Sequence, residues 1–438
     1  MSSEVEALQA LLRIPTVSTR DADAWDHEAF EAFHTELRDR FPLLHTKLEL
    51  TRTGRYGLLF RWPGASADRP VVLMAHMDVV PVEGGEWTHP PFAGIVEDGV
   101  IWGRGTLDDK ASLVAICLAV EGLLAAGHVP AQDVWLSFGS DEEVAGQSAP
   151  AAVEELRRRG VEPWFVLDEG GAVAYDAFPG VTEPIAVVGV TEKGITSLEL
   201  RVEGRGGHAS TPSKLGPTAR LARAITRLDR SAMPASMPEA TLALFRRAAP
   251  LAAQPMRSVL TAASRVPVLL TRLLLAAGPE PAAMVRSTFA VTTLSGSPSL
   301  NVVAASATAG VNIRVMIGDT VSDVVEHVRR AVDDDKVQIR IIDAGEPSPS
   351  SPVDEAFDLL SAATAVHFPE AVTAPYVMMA ATDARHFTAI SRRVYRFTPF
   401  EMTKSQREAI HSYDEHLRVD AFLKGVAWYR TLLNSLPS

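Results

Sequence analysis

Three short apolar runs, 71–75, 134–138 and 164–167, are spaced along the first half of the chain, with helix-like stretches at 110–126 and 147–159 between them. Runs that are apolar throughout, without alternation, belong to strands covered on both faces. Strands alternating with helices in this way give an α/β fold with a largely parallel sheet. Such sheets collect ligands beyond the carboxyl ends of their strands. The residues that follow the three runs are therefore the ones to read for chemistry. They are His76, Asp141 and the pair Asp168-Glu169.

The pattern changes near residue 190. Leu198, Leu200 and Val202 alternate with Glu199, Arg201 and Glu203. Ala307, Ala309, Val311, Ile313 and Val315 alternate with Thr308, Asn312 and Arg314 in the same way. This is the period of strands with one wet face. Helices fit at 217–229 and 320–332. The α/β character returns after Glu346-Pro347-Ser348-Pro349, with a strand at 393–396 and a last helix over about 415–433. A chain of 438 residues is too long for one simple core. The expectation is an α/β catalytic domain formed by 1–189 and 346–438, interrupted by a smaller α+β domain at 190–345. Residues 232–285, rich in Ala, Leu, Pro and Met, read as a helical insertion within the smaller domain.

Bulk properties exclude several functions. A net charge of −12 argues against a nucleic-acid surface, which needs a basic stripe. The most apolar runs, 112–127 and 266–277, are broken by Glu121 and Arg272 and are too short to span a bilayer. Cys117 is the only cysteine, so no disulfide forms within the chain. The N-terminus lacks the pattern of a secretory leader, and a cytoplasmic location is expected. Ser3 with Glu6 reads instead as a capping box on a helix with Val5, Leu8, Leu11 and Leu12 inside, ended by Pro15. No nucleic acid or membrane partner is expected, only a small-molecule substrate.

The chemistry-bearing residues come in sets. His76 and Asp78 form His-x-Asp, in which a neutral imidazole can hold zinc while the carboxylate orients it. A turn histidine beside a solvated aspartate fits the same letters. Asp108 and Asp109 follow Gly103-Arg104-Gly105-Thr106-Leu107 and precede a helix. One carboxylate can bridge two cations, but aspartate is also a favoured helix cap, with Lys110 an ordinary first-turn residue. Asp141-Glu142-Glu143 packs three acids together, which repel unless a cation or proton intervenes. A metal on Glu143 and a shuttled proton on Glu142 would relieve them, as would a plain acidic helix start. Asp168-Glu169 repeats the choice. His208 follows two glycines, and His411 stands alone far along the chain. Arg314 and Arg385 each offer a fork for a carboxylate.

Taken as a set, these segments resemble the aminoacylase / carboxypeptidase S family of di-zinc metallohydrolases, in its carboxypeptidase-S-like branch with the N-acyl-amino-acid synthase/hydrolases. The resemblance runs from about residue 5 to 433. It is carried by His76-Met77-Asp78-Val79-Val80-Pro81, Trp87 with Pro91-Phe92, Gly103 to Lys110, Asp141-Glu142-Glu143 and Leu167-Asp168-Glu169-Gly170-Gly171. Gly207-His208-Ala209-Ser210, Thr382-Asp383-Ala384-Arg385 and His411 complete it. It implies two zinc ions, with cobalt or manganese as substitutes. The implied ligands are His76, Asp108 as the bridge, Glu143, Glu169 or its rival Asp168, and His411. It implies Asp78 as the residue orienting His76, and Glu142 as general base. His208 is implied as an oxyanion donor, in many members supplied across a dimer. Asn301, Arg314 and Arg385 are implied as substrate contacts, and the Asp108–Asp109 peptide bond as cis. Two departures bear on the pocket: Ser412 stands where members often have glycine, and Ala304 where many have proline.

The implied reaction is hydrolysis of the amide bond of an N-acyl amino acid or short peptide with a free carboxylate. Glu142 takes a proton from the attacking water and returns it to the leaving amine, while His208 steadies the oxyanion. One rival is the same chemistry on a polar metabolite, as in a succinyl-diaminopimelate desuccinylase or acetylornithine deacetylase. Another is an inactive metal-binding scaffold, against which the retained Glu142 argues. The smaller domain is expected to serve as a lid or as a homodimer contact.

Overall fold

The computed structural model describes residues 2–178 and 181–438. A ten-stranded sheet forms its centre. Ser66–His76 lies between Gln132–Gly139 and Phe165–Asp168, parallel to both, and Phe165–Asp168 pairs in parallel with Val394–Arg396. The hairpin Glu49–Thr53 and Gly57–Trp62 extends one side antiparallel. The three apolar runs are thus adjacent strands, the first two longer than their runs and the third shifted by one residue to Phe165–Asp168. Their side chains are nearly all buried on both faces. On one face pack the helices Ser3–Leu12, Lys110–Ala125 and Val419–Asn434. On the other pack Ser148–Arg158 and Ala384–Phe387.

Gly194–Glu203 leaves this sheet and joins Thr288–Ser295, Ser306–Val315 and Val337–Ala344 in a separate four-stranded antiparallel sheet. The helices Pro217–Asp229 and Val321–Val332 cover one face of it through Leu221, Leu228, Val324 and Val328. The other face is wet, which is why these strands alternate. Because Ile185–Glu192 still belongs to the large sheet, the crossing falls at Lys193 rather than at residue 190.

Three expectations need correction. The helices Glu239–Ala248, Met256–Ala263 and Pro267–Ala276 do not pack on the smaller sheet. Leu244, Phe245, Leu260 and Leu270 bury against Ile185 and Ala374 of the large one and against Val181 just before it. The first helix starts at Ser3, with Ser2 at its cap and no side-chain cap bond. Ser3 lies inside the first turn and its hydroxyl donates to Glu4, so no capping box forms. The last helix begins only at Val419, because His416–Arg418 is a strand paired with Val100–Trp102.

Candidate metal centre

His76 ends its strand fully buried. Its Nδ1 lies 3.0 Å from the carbonyl oxygen of Asp78, which fixes the ring and leaves Nε2 facing forward. The Asp78 carboxylate accepts from the Ser18 hydroxyl at 2.7 Å and from the backbone N–H groups of Glu142 and Glu143 at 3.2 Å each. One buried side chain therefore sits against His76 and also pins the turn that presents Glu142 and Glu143.

Asp108 stands between two histidines. Its Oδ1 lies 2.9 Å from His76 Nε2, and its Oδ2 lies 2.9 Å from His411 Nε2. Glu169 Oε1 approaches His76 Nε2 at 3.4 Å, and Glu143 Oε2 approaches His411 Nε2 at 3.1 Å. The result is two donor sets around one shared carboxylate, Glu169 with His76 and Glu143 with His411; donor atoms of His76, Asp109 and Glu169, and of His76, Asp108 and Glu143, also lie within 4.8 Å of one another. The Asp108–Asp109 peptide bond is cis. His411 adopts a φ of 60° and is 52 % exposed, so the cluster opens to solvent on its side.

The electrostatics are those of a site short of positive charge. Burial, reinforced by Asp108, pushes Glu169 up to about 8. Burial raises Glu142 well above the usual carboxylate range and also raises Glu143. Burial would raise Asp108 as well, but its bonds to His411 and His76 lower it instead. Hydrogen bonds to Asp108 and Glu143 lift His411 to about 10. Burial opposes a charge on His76, yet Glu169 and Asp108 raise it. Buried oxygens of Asp109 and Glu143 have no hydrogen-bond partner, and Asp109 Oδ2 accepts from His76 N–H at 3.3 Å. Orphaned carboxylate oxygens and crowded acids around two imidazoles fit divalent cations.

The remaining acids have structural partners. Asp168 turns away from the cluster and accepts the Ala384 N–H at 2.8 Å, so Glu169, not Asp168, joins the donor set. Asp141 accepts the Gln147 and Ser148 N–H groups at 2.7 and 3.0 Å and starts the next helix. A Cβ on Gly146 would lie 2.1 Å from the Asp141 carboxyl carbon, so only glycine lets that chain pass. Asp109 occupies the cap position before Lys110–Ala125 but makes no cap bond, so the helix-cap reading of this pair fails. Lys110 is not an ordinary first-turn residue. It is fully buried, donates to the Leu11 and Ile14 carbonyls at 3.2 and 2.6 Å, and is held down to about 7 by burial.

Sequence reasoning missed Glu415. Its buried carboxylate accepts from Arg104 at 2.6 Å and from the N–H groups of Gly105, Leu107 and Asp108 at 3.1, 2.7 and 3.1 Å. Arg104 in turn lies over the Trp87 ring. The only available signal was an acid four residues after His411.

The substrate candidates lie outside the cluster. His208 and Asn301 come together on the small ribbon of Gly207–His208 with Val302–Val303, where Ala209 N–H donates to the Asn301 carbonyl. His208 is exposed, and its Nδ1 meets the Ser210 hydroxyl at 2.7 Å. Arg314 sits across from Ile195 and Thr288 in the smaller sheet, half-buried. Arg385 donates to the Thr382 carbonyl at 2.8 Å beside Asp383, whose carboxyl burial pushes up to about 8.

An α/β sheet carrying two nitrogen–oxygen donor sets on a shared carboxylate defines a metal-dependent hydrolase. Residues 72–435 match the model of peptidase family M20/M25/M40, and the chain belongs to that family. It is 34 % identical to a probable carboxypeptidase S-like 2 of Dictyostelium discoideum, over 99 % of this chain and 85 % of that one. It is also 34 % identical to human N-fatty-acyl-amino acid synthase/hydrolase PM20D1, over 95 % of this chain and 84 % of the relative. The fold is shared with an M20 family metallo-carboxypeptidase of Sulfolobus solfataricus, at a TM-score of 0.72, 18 % identity and 99 % coverage of both chains.

Proposed function

We propose that the chain hydrolyses the amide bond of N-acyl amino acids or short peptides that carry a free carboxylate, using two zinc ions. The observation that carries this reading is Asp108, each of whose oxygens lies 2.9 Å from a different histidine Nε2. His76, Asp108 and Glu169 would hold one ion, and His411, Asp108 and Glu143 the other. Mixed imidazole and carboxylate donors suit zinc. The ions would supply Lewis-acid polarisation of the amide carbonyl and acidify water at the site.

Glu142 sits on the turn fixed by Asp78, and burial keeps its proton affinity high. A carboxylate of that kind takes a proton from water and returns it to the departing amine. Asp78 holds His76 in the orientation that ligation needs. His208 and Asn301 on the smaller domain would meet the oxyanion and substrate when that domain closes, or would be lent by a partner in a homodimer. Arg385 or Arg314 would clamp the carboxylate. Similarity to N-fatty-acyl-amino acid hydrolases along the chain supports a long acyl group. Turnover of a panel of N-acyl amino acids, dipeptides, N-succinyl and N-acetyl polar metabolites tests the reading. Preference for the last two classes would favour a desuccinylase or acetylornithine deacetylase. No turnover of any class with metal bound would leave a scaffold.

A further inference from the structure

We infer that the helix pair Met256–Ala263 and Pro267–Ala276 is a docking surface for an anionic lipid bilayer. Between Glu239 and Glu280 the chain has five arginines and no acidic residue, within a protein of net charge −12. Arg247 turns inward to the Thr373 carbonyl, while Arg246, itself exposed, donates to the Ser264 carbonyl. Arg257, Arg265 and Arg272 are exposed and form no ion pair among the described residues. Between them stand exposed aliphatic side chains: Val266 at 51 %, Val268 at 63 % and Leu269 at 49 % exposure, with Met256 and Val259 beside them. The opposite faces of both helices are spent, since Leu260, Ala263, Leu270 and Leu274 bury into the core.

The composition of the patch selects its occupant. Protein-binding hot spots are enriched in Trp and Tyr, and 240–279 holds neither; its one aromatic, Phe245, is buried. A two-fold contact between copies through this face would set arginine against arginine. Aliphatic side chains flanked by guanidinium groups match a bilayer interface, where the chains enter the acyl boundary and the cations meet headgroup phosphates. Among the described residues no helix is long and apolar enough to cross a membrane. The acidic remainder of the molecule is repelled by the same surface, which leaves this face as the one that docks.

Sedimentation of the full chain with vesicles tests this. Vesicles of phosphatidylcholine with phosphatidylglycerol should carry the protein down at low salt, and phosphatidylcholine alone should not. Arg265→Gln with Arg272→Gln should weaken binding by about fivefold for each arginine. Val266→Ser with Leu269→Ser should weaken it at unchanged charge. Both pairs lie on the surface, so hydrolysis of a soluble substrate should be unchanged and reports intact folding. Protein left in the supernatant with anionic vesicles at low salt would overturn the inference. So would variants that bind as wild type does, or a patch whose substitution changes the oligomeric state and not vesicle binding.

Discussion

Glu415 accepts the backbone N–H of Asp108 at 3.1 Å, across 307 positions of sequence. The loop that carries the shared carboxylate is thus fixed by the segment that carries His411. Glu415→Ala would leave Arg104 buried without its counter-charge and three N–H groups without an acceptor. Removing one partner of a buried ion pair costs about 3–5 kcal/mol. Urea unfolding of the metal-free protein should show a loss of that size, with Glu415→Gln losing less because it keeps an acceptor oxygen. A loss below about 1 kcal/mol, the worth of one ordinary hydrogen bond, would show that the loop does not depend on Glu415.

Metal analysis at saturation should find two ions per chain. His76→Ala and His411→Ala each remove a donor from a different set, so each should lower the count. Glu142→Ala should keep both ions and lose turnover, because its proposed role is to move a proton and not to hold metal. A Glu142→Ala enzyme with near-normal kcat would remove it from that role, and one ion or none in the wild type would remove the two-ion reading.

The parts of the fold that were legible are those fixed by burial on both faces. The runs at 71–75, 134–138 and 164–167 read as central strands, and the strand-end rule then pointed to His76, Asp141 and the pair Asp168-Glu169, of which Asp141 and Asp168 bind backbone N–H groups instead. What stayed hidden depends on contacts between distant segments. Glu415 looks like any acid until the Gly105–Asp108 N–H groups converge on it. Lys110 looks like a helix-start residue until the carbonyls of Leu11 and Ile14 enclose its ammonium. Asp168 and Glu169 are adjacent acids in sequence, and only the Ala384 N–H beside Asp168 separates their roles. The helices of 239–276 are apolar enough to pack anywhere, and only the structure sets them against Ile185 and Ala374.

Metal loading should expel protons. Without metal, Glu169 lies at about 8 and His411 at about 10, so both are protonated at pH 7. Each must lose its proton to become a ligand, so affinity should rise with pH and flatten once both values are passed. At least two protons per chain should leave at pH 7, because His76 and Glu143 are raised as well. Calorimetry in buffers of different ionisation enthalpy counts them, and no release at pH 7 would contradict these assignments. The stability sign follows from the same shifts. A folded pKa above the unfolded one means that the folded state holds the extra proton between the two values, so stability falls as pH rises there. The His411 contribution is complete below its ordinary 6.5 and is lost as pH climbs through about 10, while the Glu169 penalty on the metal-free fold grows from about 4.5 to about 8 and stays in full above that.

His208 partners Ser210 on an exposed ribbon of the smaller domain, while His76, Asp108, Glu143, Glu169 and His411 all belong to segments outside that domain. An oxyanion donor acts only within about 3 Å of the developing charge. For His208 to serve as the proposed oxyanion donor, the smaller domain would close on its own site or a second copy would supply the histidine. His208→Ala should lower kcat by roughly 10²–10³, the usual effect of losing one such donor, with metal content unchanged. Mixing Glu142→Ala subunits with His208→Ala subunits separates the two routes. In a dimer that shares histidines, one of the two sites regains both an intact Glu142 and an intact His208, and activity returns. If exchange is demonstrated and activity does not return, the histidine serves its own chain. If His208→Ala leaves kcat within a few-fold of wild type, the oxyanion role goes with it, and stabilisation of the developing charge must come from the metal centre alone.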